Sequence, residues 1–324
     1  MTIGAASNGS GRQAQRGEFR ATLDLVHAGP TSLAFRYELA GPADAPLLIV
    51  AGGISAGRHV IANDSDAGDG WWESQSNSFA RHRVLAIDWL GADGELDRPI
   101  DAIDQAKAIL ATLDELGLDR AAGFVGASYG AMVGMHCAAI APPRVPALLA
   151  ISGADRSHPF TSAQRALQRQ AVELGERLGS AAEGVALARK LAILTYRTPQ
   201  EFAQRFAEPP SIDGNRGRAS SESYLDHIGN RHGGRMSAPA YRRLSESIDL
   251  HRIDPSTITV PSTFVAVAQD GLVPAEDIAA LAGAVPDGRL VTINSLYGHD
   301  AFLKEEGAVG SIIETFLKSL EQTR

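Results

Sequence analysis

Three residues far apart in the chain have the types needed for nucleophilic acyl transfer. Ser128 stands in Gly126-Ala127-Ser128-Tyr129-Gly130, between the apolar run Gly123-Phe124-Val125 and the helical stretch Ala131-Met132-Val133-Gly134-Met135-His136-Cys137-Ala138. A Gly-x-Ser-x-Gly between a strand and a helix forces a sharp, strained turn with the serine at its apex, and small flanking residues let strand and helix approach. The helix that follows points its first amides at the same spot, which favours an oxyanion there. His299, in Gly298-His299-Asp300, is the last histidine of the chain and follows the final strand-like run. Asp270, in Gln269-Asp270-Gly271, ends the penultimate one, and Asp155 is the other acid weighed for the same role. In the order serine, acid, histidine, Ser128 attacks an acyl carbonyl and His299 takes and returns the proton. Asp270 then holds the imidazole tautomer and stabilises its cation.

The elements that must position these groups follow from hydrophobic pattern. Leu33–Leu39 alternates, as a half-buried edge strand does. Pro46–Ala51, Arg83–Gly91, Ala147–Gly153, Ser262–Ala268 and Arg289–Asn294 are apolar runs of the length of buried parallel strands. Helical spacing over Ile100–Leu118 and Pro274–Val285, and over Gly310–Leu320 at the end, alternates with these strands, which predicts a parallel sheet covered on both faces. The loop Gly52-Gly53-Ile54-Ser55-Ala56 follows the first buried strand, where a second oxyanion donor belongs: the amides of Ile54 and Tyr129 form the predicted pair. Gly70-Trp71-Trp72 reads as an aromatic pair packed under the mouth of the site.

The predicted fold class is α/β, an α/β-hydrolase fold with a mostly parallel sheet flanked by helices and an inserted helical cap. Residues 1–17, rich in Gly, Ser, Ala and Gln, are expected to be a disordered tail. Residues 18–154 and 256–324 form the two parts of the core, and residues 155–255 form a helix-rich cap without strands. Such a cap closes over substrate and excludes water.

Composition narrows the partners. With 30 Lys and Arg against 38 Asp and Glu, the net charge of −8 argues against nucleic acid or an anionic membrane surface. A single cysteine, Cys137, excludes an internal disulfide, and with no apolar run of membrane-spanning length or signal-peptide pattern it points to the cytoplasm. A nicotinamide-dependent oxidoreductase is disfavoured: Gly123–Gly130 does not fit Gly-x-Gly-x-x-Gly, and the next strand ends in Ser152-Gly153 rather than in an acid. No cofactor or metal is called for.

The sequence resembles the homoserine O-acyltransferases of the α/β-hydrolase superfamily from about Leu47 to the C-terminus. The resemblance is carried by Gly70-Trp71-Trp72, the Gly-Ala-Ser-Tyr-Gly elbow, Gln168-Arg169-Gln170-Ala171 and Glu222-Ser223-Tyr224-Leu225. Gly298-His299-Asp300-Ala301-Phe302-Leu303 is its most specific part. It implies transfer of an acetyl group from acetyl-CoA to the hydroxyl of L-homoserine through an acyl-serine, in methionine biosynthesis, by a homodimer. Succinyl transfer to homoserine or serine is the nearest alternative, and a Ser-His-Asp esterase is the alternative of another class. On matching positions, the resemblance implies that Asp300 holds the substrate ammonium and that Arg235 and Tyr241 address its carboxylate. Three features depart from the family: Gly52-Gly53-Ile54 replaces a His-Ala-Leu, the stretch after Trp72 is shorter, and Tyr129 stands where a methionine is usual. All three border the acyl group, and Arg58 nearby is a candidate partner for a succinyl carboxylate.

Overall fold

The computed structural model describes residues 12–233 and 236–322. Its centre is an eight-stranded sheet. In chain order the strands begin with β1 (Ala14–Leu25), β2 (Gly29–Ala40), β3 (Leu47–Ala51), β4 (Arg83–Ile87), β5 (Gly123–Ala127) and β6 (Leu148–Ile151). After an excursion the sheet resumes with β9 (Ser262–Val267) and β10 (Gly288–Ile293). The spatial order is β1-β2-β4-β3-β5-β6-β9-β10, antiparallel across β1/β2 and β2/β4 and parallel from there on. β3, β5 and β6 are buried along their whole length, as strands covered on both faces must be.

Helices cover both faces. α1 (Ala102–Glu115) begins with a reciprocal capping box between Asp101 and Asp104, which satisfies amides that the first turn leaves open. α2 (Tyr129–Ile140) runs directly from β5 and is buried over most of its length. Its apolar sequence has no polar face, as befits a helix enclosed on all sides. Beyond β6 the chain leaves the sheet for α3 (Pro159–Arg177), α4 (Ala181–Tyr196) and α5 (Pro199–Arg205). A short hairpin of β7 (Ser211–Asp213) and β8 (Arg216–Arg218) precedes α6 (Glu222–Gly233) and α7 (Ala238–Leu250). The end of the chain carries α8 (Ala275–Ala284), α9 (Ala301–Lys304) and α10 (Glu306–Gln322). None of the described helices is long and apolar enough to cross a membrane.

Two expectations need correction. Residues 14–17 are not tail: they belong to β1 and pair with residues 37–40 of β2. Their polar composition conceals this because the ordering groups are distant in sequence. Arg16 Nε lies 2.5 Å from the buried Glu38 carboxylate, and Gly17 leaves room for the Tyr37 side chain, whose hydroxyl a Cβ there would meet at 2.3 Å. The excursion between β6 and β9 is also not free of strands, since it carries the β7/β8 hairpin. Those three-residue strands are too short for a period-2 pattern to register.

Candidate active site

The turn from β5 into α2 places Ser128 at φ 56°, ψ −118°, outside the regions open to an L-residue at no cost. The glycines on either side permit it. A Cβ on Gly126 would stand 2.3 Å from the Gly130 carbonyl oxygen, and one on Gly130 would stand 2.2 Å from that of Ala51. The Gly130 amide donates to Gly52 O (2.8 Å), which locks the elbow against the loop after β3.

His299 arrives from the turn after β10, and Asp270 from the end of β9. Ser128 Oγ lies 2.7 Å from His299 Nε2, and His299 Nδ1 lies 2.7 Å from Asp270 Oδ2. The other carboxylate oxygen of Asp270 accepts the amides of Leu272 (2.8 Å) and Val273 (3.0 Å), which fixes its orientation. A carboxylate facing Nδ1 requires the proton there, so Nε2 is left as the acceptor for the serine hydroxyl. Burial pulls the His299 pKa down, but the charge and hydrogen bond of Asp270, with the charge of Asp300, outweigh it and leave it raised. Phe302 packs edge-on to His299 at 6.1 Å, and Trp72 supports Phe302 from behind by ring contact and by donating to its carbonyl (2.9 Å). Asp155, the other acid weighed, is paired with Arg156 instead (2.7 Å).

The loop after β3 lies directly against Ser128, with Gly53 close enough that a Cβ on it would be 4.0 Å from Ser128 Cβ. The Gly53 carbonyl accepts from Trp89 Nε1 (3.0 Å) and the Ala56 amide (2.9 Å). Because N–H and C=O of a trans peptide point in opposite directions, the Ile54 amide is directed away from Trp89. The Tyr129 side chain turns into the protein: it is buried, edge-on to Trp89 at 5.0 Å, and its hydroxyl hydrogen-bonds Ser247 of α7 (2.7 Å).

A cavity of about 300 Å³ opens over Ser128 and His299, between the sheet and α3, α4 and α7. Its walls carry Asp300, Arg189, Arg165, Gln168 and Tyr241. Asp300 Oδ2 is 2.8 Å from Arg197 Nε; burial raises the carboxyl's pKa, and the charges of Arg197, His299 and Arg189 only partly oppose it. Arg189 is 8% exposed, and among the described residues its Nε has no hydrogen-bond partner. Tyr241 is buried and donates to Gln168 Oε1 (3.0 Å). Arg235 lies outside the residues whose side chains are described. Arg58 is absent from the cavity wall: its amide donates to Asp88 Oδ1 (2.8 Å) and its guanidinium sits 3.7 Å from the same carboxylate.

Sequence reasoning missed Arg189. The available signal was an arginine among Val185, Ala188, Ala192 and Ile193, on the face of α4 that the apolar spacing turns inward. A buried guanidinium with an open nitrogen, beside a buried carboxylate, suits a small zwitterion.

Comparison with known proteins speaks to fold and family. A family profile described as alpha/beta hydrolase fold matches residues 46–306. A homoserine O-succinyltransferase from Xanthomonas campestris pv. campestris is 47% identical over 99% of this chain and 89% of its own length. A homoserine O-acetyltransferase from Thermus thermophilus is 32% identical, covering 68% of this chain and 58% of its own. Among solved structures, a homoserine O-acetyltransferase from Bacillus anthracis superposes with a TM-score of 0.84 over 94% of this chain and 97% of its own, at 15% identity. At that identity the superposition speaks to fold alone.

Proposed function

The chain belongs to the homoserine O-acyltransferase family within the α/β-hydrolase fold, and on that premise we propose that it moves a succinyl group from succinyl-CoA to the hydroxyl of L-homoserine through an acyl-Ser128. The observation that carries the donor is the near-full-length similarity to a homoserine O-succinyltransferase, against shorter and weaker similarity to the Thermus acetyltransferase. The acetyl donor favoured from sequence alone therefore becomes the second reading.

Ser128 Oγ attacks the thioester carbonyl while His299 Nε2 takes its proton. The carbon–sulfur bond breaks, the proton passes to the departing sulfur, and CoA leaves as a thiol. Homoserine's hydroxyl then attacks the acyl carbonyl, gives its proton to His299 and displaces Ser128 Oγ, which is reprotonated. The amides of Ile54 and Tyr129 serve the oxyanion in both halves. Asp300 takes the ammonium of homoserine and Arg189 its carboxylate, with Tyr241 lining the same cavity rather than meeting the carboxylate directly. Water competes for the same acyl-enzyme, and the zwitterion-binding pair favours the amino acid over it.

Thiol release from succinyl-CoA and acetyl-CoA, each with and without L-homoserine, tests this reading with Ser128→Ala as control. Homoserine-dependent release that is faster from succinyl-CoA and lost in Ser128→Ala is the expected result. Faster release from acetyl-CoA would reinstate that donor. Ser128-dependent ester cleavage with no release from either CoA would make the chain a hydrolase.

A further inference from the structure

The buried stripe of α3 is Thr161, Arg165, Gln168, Val172 and Gly175, so a guanidinium occupies a position where the helical spacing calls for an apolar side chain. Arg165 is 7% exposed. Burying a cation is costly unless it is paired, and here the pairing carboxylate is shared with a second arginine. Arg165 Nε donates to Asp249 Oδ1 (2.8 Å), while Arg169 Nη1 donates to Asp249 Oδ2 (2.7 Å). One carboxylate thus serves two arginines, and the trio carries a net positive charge. Nη2 of Arg165 lies 2.7 Å from the same Asp249 Oδ1 and is also held by the hydroxyls of Ser157 and Ser162. Among the described residues, Nη1 makes no hydrogen bond.

The place of this charge matters. Arg165 lines the 300 Å³ cavity and also a small recess of about 20 Å³ on its other side, and Ser128 and His299 line both. The recess is too small for an acyl tail and Asp277 is part of its wall, so an acyl group on Ser128 extends into the larger cavity. Among the described residues, that cavity offers two arginines. Arg189 lines the larger cavity alone, whereas Arg165 lines both it and the recess, alongside Ser128 and His299. With Arg189 and Asp300 taken by the two charges of the acceptor, Arg165 is, among the described residues, the arginine that remains in the larger cavity's lining, which Ser128 shares.

We infer that Arg165 is the donor-specificity residue: its guanidinium receives the distal carboxylate of a dicarboxylic acyl group carried by Ser128. The inference rests on the succinyl reading above and moves the role first considered for Arg58 to the opposite wall of the site. Asp249, Ser157 and Ser162 hold the guanidinium fork in place, so that a free carboxylate meets a prearranged partner.

The test compares kcat/KM for succinyl-CoA, acetyl-CoA and butyryl-CoA, with homoserine as acceptor, in the parent and in Arg165→Gln. Butyryl matches succinyl in length without its charge. Losing one partner of a buried charge pair should lower the succinyl-to-acetyl ratio by at least ~30-fold and bring succinyl close to butyryl. Arg165→Lys keeps the charge without the fork, and its ratio should fall less. If Arg165→Gln is insoluble, Arg165→Lys is judged on the same ratio. A ratio within about threefold of the parent's, even with both rates reduced, overturns the inference and leaves Arg165 as a clamp between α3 and α7. A parent that prefers acetyl-CoA removes the donor reading and this inference together, while homoserine acylation stands.

Discussion

Asp300 Oδ2 sits 2.8 Å from Arg197 Nε, so the carboxylate next in chain to His299 already has a cationic neighbour before any substrate ammonium arrives. Burial raises the pKa of Asp300, and Arg197 is the foremost of the charges that oppose that rise. On the proposed reading, the substrate amine would join an existing ion pair rather than create one. Asp300→Asn is expected to raise the KM for homoserine about 10–100-fold, the range for losing a hydrogen bond to a charged group. The KM for acyl-CoA should change far less. Arg189→Gln should produce the same split, and a variant that raises both KM values equally would speak against this acceptor site.

The strain at Ser128 is measurable apart from activity. Ser128→Ala removes the nucleophile but keeps a side chain at φ 56°, whereas Ser128→Gly removes both. After allowing for the greater freedom of glycine in the unfolded chain, Ser128→Gly should be more stable than Ser128→Ala by about 1 kcal/mol. Urea denaturation of the two inactive proteins reads the difference directly. Equal stabilities would mean that the elbow is relaxed.

The activity profile should report His299. Only the neutral ring accepts the serine proton, so kcat/KM rises with pH through the His299 pKa. Burial lowers that pKa, but Asp270 and Asp300 raise it further, and the acid limb should be centred above the ordinary value of about 6.5. Asp270→Asn should move the limb downward and cut kcat by roughly 10⁴-fold. The stability contribution has the opposite slope. A raised folded-state pKa stabilises fully below about pH 6.5 and loses that contribution as pH rises through the folded value. A parent limb centred below about pH 6 would contradict the assignment.

A second histidine pair sets acid stability. His251 Nε2 donates to Ala154 O (2.9 Å), so its Nδ1 accepts from His136 Nε2 (3.1 Å), joining α2 to the end of α7 with both rings neutral. Burial, with the neighbouring His251, pushes His136 down to about 3. Its folded pKa is depressed, so its contribution is complete above about pH 6.5 and is lost as pH falls toward the folded value. In His136→Gln, proton uptake on unfolding between about pH 6 and about pH 4 should fall by about one. An unchanged slope would place the acid sensitivity elsewhere.

What the sequence determined by itself was local or ordered along the chain. Gly126-Ala127-Ser128-Tyr129-Gly130 announces its turn because the steric demand is met by adjacent residues. Asp270 and His299 are legible because each closes an apolar strand, and a parallel sheet brings such strand ends to one edge. The polar start of β1 was not legible, because its order comes from pairing with β2 and from Glu38 rather than from its own pattern. Nor was the charge arrangement of the cavity. Arg165 meets Asp249 across 84 residues, and Arg197 meets Asp300 from the end of α4. An arginine on a helix reads the same whether it is solvated, paired or left open. Only the packing of α3, α4 and α7 over the sheet decides which of these cations lose water and which find a carboxylate, and therefore which stand free to recognise a substrate.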